Sequence, residues 1–155
     1  MSQEEIGIRK CSEVMTHSPE CCVPEDIVNV AVDIMKDMNC GSVPVVDSHA
    51  TGKLVGIITD RDICLYAVGN DLTPSNVSVR DCMTSKPITC GLDDSVEAAM
   101  NLMEDNQIRR IIIVNDDNRV MGIIAQADLA VRSDEEPFKI YKFLEEVSEP
   151  AMPTR

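Results

Sequence analysis

A chain of 155 residues is about one domain long, and its 27 acidic against 14 basic side chains give a formal net charge of −13. That balance excludes a nucleic-acid binder, which needs many Lys and Arg contacts to phosphate, and argues equally against an anionic membrane surface. No amino-terminal stretch carries the apolar run of a secretion signal and none approaches about 18 consecutive apolar residues, which predicts a soluble, cytoplasmic chain.

Residues 1–13 are polar and charged, with Ile6 and Ile8 the large apolar exceptions, and read as an N-terminal arm. From Val14-Met15-Thr16 the pattern changes. Val28, Ala31, Val32 and Met35 repeat at i, i+3, i+4 and i+7, the stripe of a helix with one buried face. The β-branched run Val43-Pro44-Val45-Val46, a polar loop from Asp47 to Lys53 and the run Leu54-Val55-Gly56-Ile57-Ile58 then predict a strand hairpin. The second strand runs straight into Thr59-Asp60-Arg61-Asp62 and the apolar Ile63-Cys64-Leu65, a strand-to-helix turn. Gly69 to Val79, with Pro74 and Ser75, reads as a linker.

The same order then returns. Met83-Thr84-Ser85-Lys86-Pro87 matches Met15-Thr16-His17-Ser18-Pro19 at an offset of 68, which holds through Val96, Ala99, Met100, Met103 and Ile113-Val114. A shorter loop reduces the offset to 66, so that Gly122-Ile123-Ile124-Ala125-Gln126-Ala127-Asp128 falls on the first turn. Asp94-x-x-Glu97 resembles a capping box at the start of the second long helix. Two β-α-β-β-α copies, each marginal at about 60 residues, are expected to share a core as one α/β (α+β) module. The expected divisions are an arm at 1–13, repeat 1 at 14–68, a linker at 69–79, repeat 2 at 80–132 and a tail at 133–155. In that tail Phe138, Tyr141, Leu144 and Val147, about three apart, predict an amphipathic helix that packs on its own module, or alternatively forms a dimer contact.

The seven cysteines contain no C-x-x-C pair and only His17 and His49 could assist them. Small core or surface filler is the first reading, and Cys22 and Cys90 share one repeat position; a thiol-sensing role for Cys21-Cys22 is the other. Met35, Met38, Met100 and Met103 read as core or module interface. No G-x-S-x-G, H-E-x-x-H or P-loop pattern is present, so no catalytic residue and no metal ligand is assigned and the chain is read as a non-enzyme.

The recurring turn offers a binding site. Thr59 and Asp62 can serve as a reciprocal helix cap, each satisfying a free backbone N–H. Asp128 persists where Ala125 has no hydroxyl, which points beyond reciprocal capping, although the helix dipole could also hold it there. A carboxylate here can accept two hydrogen bonds from vicinal hydroxyls such as those of a ribose, and Arg109-Arg110 can supply cations for phosphate.

With these motifs the two copies resemble tandem cystathionine-β-synthase (CBS) domains, the pair known as a Bateman module. Gly56-Ile57-Ile58-Thr59-Asp60-Arg61-Asp62-Ile63 is similar to the signature of small stand-alone bacterial CBS pairs. The resemblance covers about residues 11 to 131. It implies a pseudo-twofold regulatory fold that binds adenosine-containing ligands (AMP, ADP, ATP or related) between the repeats, needs no cofactor, assembles as a homodimer and signals to an unknown partner protein. Carried over by residue, it groups Thr59, Asp62, Thr84, Ile108, Arg109 and Arg110 in a main cleft. Thr16, Cys40, Gly41, Ser42, Ala125 and Asp128 form a weaker one that lacks a cation. Ile112 departs from the Pro and Ala125 from the Ser or Thr that the family often has. A ligand-free adaptor dimer, or a thiol redox sensor, are the alternative readings.

Overall fold

The computed structural model describes residues 9–132 and 137–148. In chain order these form α1 (Cys11–Val14), β1 (Thr16–His17), α2 (Val28–Met38), β2 (Ser42–Val46), β3 (Leu54–Thr59) and α3 (Asp60–Ile63). A π-helical turn, Cys64–Val68, extends α3, and a 3-10 turn follows at Pro74–Asn76. The second copy supplies α4 (Val79–Cys82), β4 (Thr84–Ser85), β5 (Thr89–Gly91), α5 (Val96–Asp105), β6 (Arg110–Val114), β7 (Val120–Ala125) and α6 (Gln126–Arg132). Helix α7 (Pro137–Ser148) comes last.

Two compact units result, and neither is one sequence repeat. One unit takes the chain up to His17, then Ile88–Val114 and the chain from Met121 on; the other takes Ser18–Pro87 with Asn115–Val120. Each hairpin thus receives its third strand from the opening segment of the opposite copy. In the first unit β1 pairs antiparallel with β7, Thr16 opposite Ile123, in a sheet ordered β1-β7-β6-β5. In the second, β4 pairs antiparallel with β3, Thr84 opposite Ile57, in a sheet ordered β2-β3-β4.

The first unit's core joins Val14, Met15, Val96, Met103, Ile111, Ile113, Ile124 and Leu129, with Phe143 and Val147 of α7. The second unit's core joins Cys22, Val28, Ala31, Met35, Val43, Val45, Ile58 and Ile63. Strand β3 shows why the hairpin sits as it does. Leu54, Gly56 and Ile58 are buried while Val55, Ile57 and Thr59 are half-buried, the period-2 pattern of a strand with one core face.

The two copies also share backbone conformation. Ser18 and Lys86 have φ of 48° and 53°, and Asn39 and Gln107 have φ of 50° and 51°, each pair at the offset of 68. Asn39 ends α2 in the left-handed conformation, where Asn is among the better tolerated residues.

Several sequence expectations shift. Residues 1–8 of the expected arm lie outside the described residues, but Cys11 is fully buried and Val96 N–H donates to the Arg9 carbonyl at 2.8 Å. The end of that segment is therefore part of the first unit. Within the expected linker, Val77 and Val79 are buried in the second unit's core, because Val28 N–H donates to the Val77 carbonyl at 2.9 Å and holds the chain there. The N-cap of α5 is Ser95, whose hydroxyl accepts Ala98 N–H at 3.0 Å; Asp94 instead turns back and accepts Gly91 N–H at 2.7 Å. In α7 the inward stripe is Ile140, Phe143, Leu144 and Val147, while Tyr141 is exposed. A spacing of three drifts off one face of a 3.6-residue helix, which moves the contact from Tyr141 to Phe143. The Phe138 side chain lies outside the described residues. Met35, Met100 and Met103 are core, and Met38 is exposed.

Candidate functional site

In the second unit, cross-strand partners bring three hydroxyls to one face of the sheet. Ser42 pairs with Thr59 and Thr84 pairs with Ile57, and residues two apart on β3 share a face, so Ser42, Thr59 and Thr84 all lie on the side away from Ile58. At the end of that face the chain turns into α3. There Asp62 N–H donates to Thr59 Oγ1 at 3.0 Å and Thr59 N–H donates to Asp62 Oδ2 at 3.0 Å, the reciprocal box that the residues predict. Asp62 Oδ1 takes no part in this box. Asp60 N–H donates to the Gly41 carbonyl at 3.0 Å, which ties the turn to the start of β2.

The first unit repeats this frame with other side chains. Thr16 faces Ile123, on the same side of β7 as Ala125. Ala125 N–H donates to Asp128 Oδ2 at 2.8 Å, so half of the box survives without a hydroxyl. Gln126 N–H donates to the Arg109 carbonyl at 3.0 Å, matching Asp60 and Gly41. Arg109 and Arg110 are thereby set beside the turn of their own copy. The family resemblance groups them with Thr59 and Asp62, and Ser42 with Asp128; within each unit, register sets Ser42 opposite Thr59 and a hydrogen bond joins Gln126 to Arg109. Ile108 is half-buried against the first unit's core.

The CBS domain model matches residues 11–69 and 79–134, most of the chain. The chain belongs to the CBS domain family. It is 36% identical over 122 residues to the uncharacterized protein YlbB of Bacillus subtilis, covering 79% of this chain and 80% of that one. It is 35% identical over 127 residues to the inosine-5′-monophosphate dehydrogenase of Methanocaldococcus jannaschii, covering 81% of this chain but 24% of the enzyme. Among solved structures, the CBS domain pair of protein MJ0100 in complex with 5′-methylthioadenosine and S-adenosyl-L-methionine superposes with a TM-score of 0.69 at 28% identity, covering 79% of this chain and 97% of that one.

Each CBS unit holds one orphan. Among the described residues, the buried side-chain polar atoms without a hydrogen-bond partner are Ser42 Oγ and Gln126 Oε1. Ser42 is 5% exposed and faces Thr59; Gln126 opens α6 at the equivalent turn. An unsatisfied buried group costs about 1–3 kcal/mol, which a bound partner can offset. Sequence reasoning did not single out Gln126. Its signal was available, since it stands at the position of Asp60 and is a neutral amide where the first copy has a charge.

A groove of 560 Å³ in the second CBS unit is lined by Met35 of α2, Cys40 just after it, and Asp60 and Ile63 of α3. Neither Thr59, Asp62 nor Thr84 lines it, so it is separate from the hydroxyl face. No helix among the described residues is long and apolar enough to cross a membrane.

Proposed function

We propose that this CBS pair is a non-catalytic, cytoplasmic sensor that binds adenosine-containing ligands at its two strand-to-helix turns and signals to a partner protein as a homodimer. The observation that carries the reading is the placement of the two buried orphan atoms, Ser42 Oγ and Gln126 Oε1, at equivalent ends of the two hairpins. The hydroxyl face of Ser42, Thr59 and Thr84 with the Asp62 carboxylate suits a ribose. Asp128 with Arg109 and Arg110 suits a nucleotide that carries phosphate. Ligand-bearing relatives of the same fold add support, and exposed Leu65, Val68 and Met38 offer apolar surface for assembly.

A second reading keeps the fold without the ligand. Thr59 Oγ1 and Asp62 Oδ2 already satisfy backbone N–H groups, so this turn is complete as a cap. Calorimetric titration with adenosine, AMP, ATP and S-adenosylmethionine separates the two. The sensor reading expects saturable binding that Asp62→Asn weakens while preserving most of the cap. The adaptor reading expects no heat and no thermal shift with any of them, and that result would retire the sensor.

A further inference from the structure

We propose that Cys11 and Cys90 form an oxidant-responsive dithiol, which hydrogen peroxide closes to a disulfide that fastens α1 to β5 within the first unit. Sequence reasoning directed attention to Cys21-Cys22, yet neither suits the role. Burial pushes Cys21 up to about 11 and, with the Asp26 and Cys21 charges, Cys22 up to about 12, so both stay protonated.

The pair that the fold assembles is 79 residues apart in sequence. Cys11 Sγ lies 4.0 Å from Cys90 Sγ, with both side chains buried. The two backbones are already joined on either side of it: Cys11 N–H donates to the Asp94 carbonyl at 2.8 Å and Ser12 N–H to the Leu92 carbonyl at 3.1 Å. Closing to a bond of about 2.05 Å brings the two sulfurs about 2 Å nearer across backbones that these hydrogen bonds already hold together. The third polar group is Asp94, whose Oδ2 is 3.3 Å from Cys90 Sγ. Two thiols and one carboxylate do not make a metal site here, since among the described residues no group of three potential ligands is arranged to hold an ion.

Repeat symmetry shows that the pairing is not required for folding. The offset of 68 places Val79 at the position of Cys11 and Cys22 at that of Cys90, and both are fully buried in the second unit. A Val beside a Cys fills this position as well. The first unit alone carries the second thiol.

The two sulfurs differ in role. The Cys11 thiol donates to Cys90 and lowers its pKa, whereas the same contact, with burial, raises that of Cys11. Cys90 retains 4% exposure where Cys11 has none, so it is the sulfur nearer to solvent peroxide. The Cys90 thiolate attacks one peroxide oxygen, the O–O bond breaks, and the departing hydroxide leaves as water with the proton Cys90 gave up. Cys11 sulfur then attacks the resulting sulfenic acid. The S–S bond forms, the S–O bond breaks, and the second hydroxide takes the Cys11 proton. Two thiols lose two electrons and two protons, and one peroxide becomes two waters.

The test uses the full reduced chain treated with hydrogen peroxide, then alkylated and cleaved after Glu13 and Glu20, which separates Cys11 from Cys21 and Cys22, and after Met83, which separates Cys90 from Cys40, Cys64 and Cys82. We expect two of the seven thiols to be lost, one peptide pair joining Cys11 to Cys90, and full reversal by dithiothreitol. In Cys11→Val, which copies Val79 of the second unit, the cross-link vanishes and dimedone traps a sulfenic acid at Cys90; in Cys22→Val the cross-link remains. All seven thiols surviving peroxide that consumes glutathione, or a preferred cross-link at Cys21-Cys22, would overturn the proposal. Peptide mapping of the wild-type chain decides it even where a variant does not fold.

Discussion

The side chain of Met83 lies across the bare face of Gly56. A β carbon on Gly56 would meet the Met83 sulfur at 2.9 Å and the Thr84 carbonyl oxygen at 2.8 Å, closer than real contacts allow. Gly122 repeats the relationship, with Met15 Cγ at 2.7 Å and the Thr16 carbonyl oxygen at 2.9 Å. In each unit the Met-Thr segment of one copy is seated on the glycine of the other, and that seat positions Thr84 or Thr16 beside its turn. The repeated Met-Thr motif is thus a packing motif as well as a candidate ligand contact.

We therefore expect Gly56→Ala to destabilise the chain by about 1–3 kcal/mol, because the methyl group must displace backbone as well as a flexible thioether. Chemical denaturation measures it. A change within about 0.5 kcal/mol, the range for an ordinary surface substitution, would show that β4 yields freely.

Helix α7 is anchored by Phe143, which is fully buried, and not by the exposed Tyr141. Truncating a buried Phe to Ala removes transfer free energy and leaves a cavity, at about 3–5 kcal/mol. Tyr141→Ala should stay within about 0.5 kcal/mol. Denaturation of the two variants side by side tests the register of the helix, and equal losses would contradict it.

The two-copy α/β (α+β) architecture was legible because Gly56, Thr59 and Asp62 recur in order as Gly122, Ala125 and Asp128, and a period that long has few other causes. The exchange of opening strands entered only through the family resemblance, which sets Thr84 with Thr59 and Thr16 with Asp128. Thr84 is 25 residues beyond Thr59 and adjoins its strand only through the β3–β4 pairing, which no local pattern encodes. The arginine grouping likewise comes from the family resemblance and not from a local pattern. Sequence shows that Ser42 and Arg110 are equivalent, but only the hairpin register places Ser42 opposite Thr59. The buried Cys11 was hidden for a related reason: a single small residue in a polar stretch gives no periodicity to read.

Glu104 carries a pH dependence. Burial first, then the charge and hydrogen bond of Glu146, raise its pKa above the ordinary carboxylate value, against a smaller opposing effect of Lys142 and a further push from Asp105. Lys142 also lies 4.0 Å from Glu146. The folded state therefore holds this proton more tightly than the unfolded chain, and stability from this group rises as pH falls through the folded value toward the unfolded one. Above the folded value the ionised Glu104 is a liability. We expect Glu104→Gln to raise the unfolding temperature at neutral pH and to flatten its rise on acidification; an unchanged pH profile would remove Glu104 from the account.

The two groupings of the arginine pair predict different energetic couplings. Arg110 acts beside Asp128 if the turn of its own copy is its site, as the 3.0 Å hydrogen bond from Gln126 N–H to the Arg109 carbonyl supports. It acts with Thr59 and Asp62 if the grouping carried over from the family resemblance holds. A charge-assisted phosphate contact contributes about 1.5–3 kcal/mol, so Arg110→Ala should weaken AMP binding at its site by about tenfold or more while sparing adenosine. Groups that hold one ligand together are non-additive by about 0.5–3 kcal/mol, whereas independent sites add. Double-mutant cycles read by AMP calorimetry are expected to show coupling of Arg110→Ala with Asp128→Ala and additivity with Asp62→Ala. Coupling to Asp62 alone would support the grouping that the family resemblance implies, and would place the phosphate with the Thr59 turn. A loss of adenosine as large as that of AMP in Arg110→Ala would assign the arginine to the fold and not to phosphate.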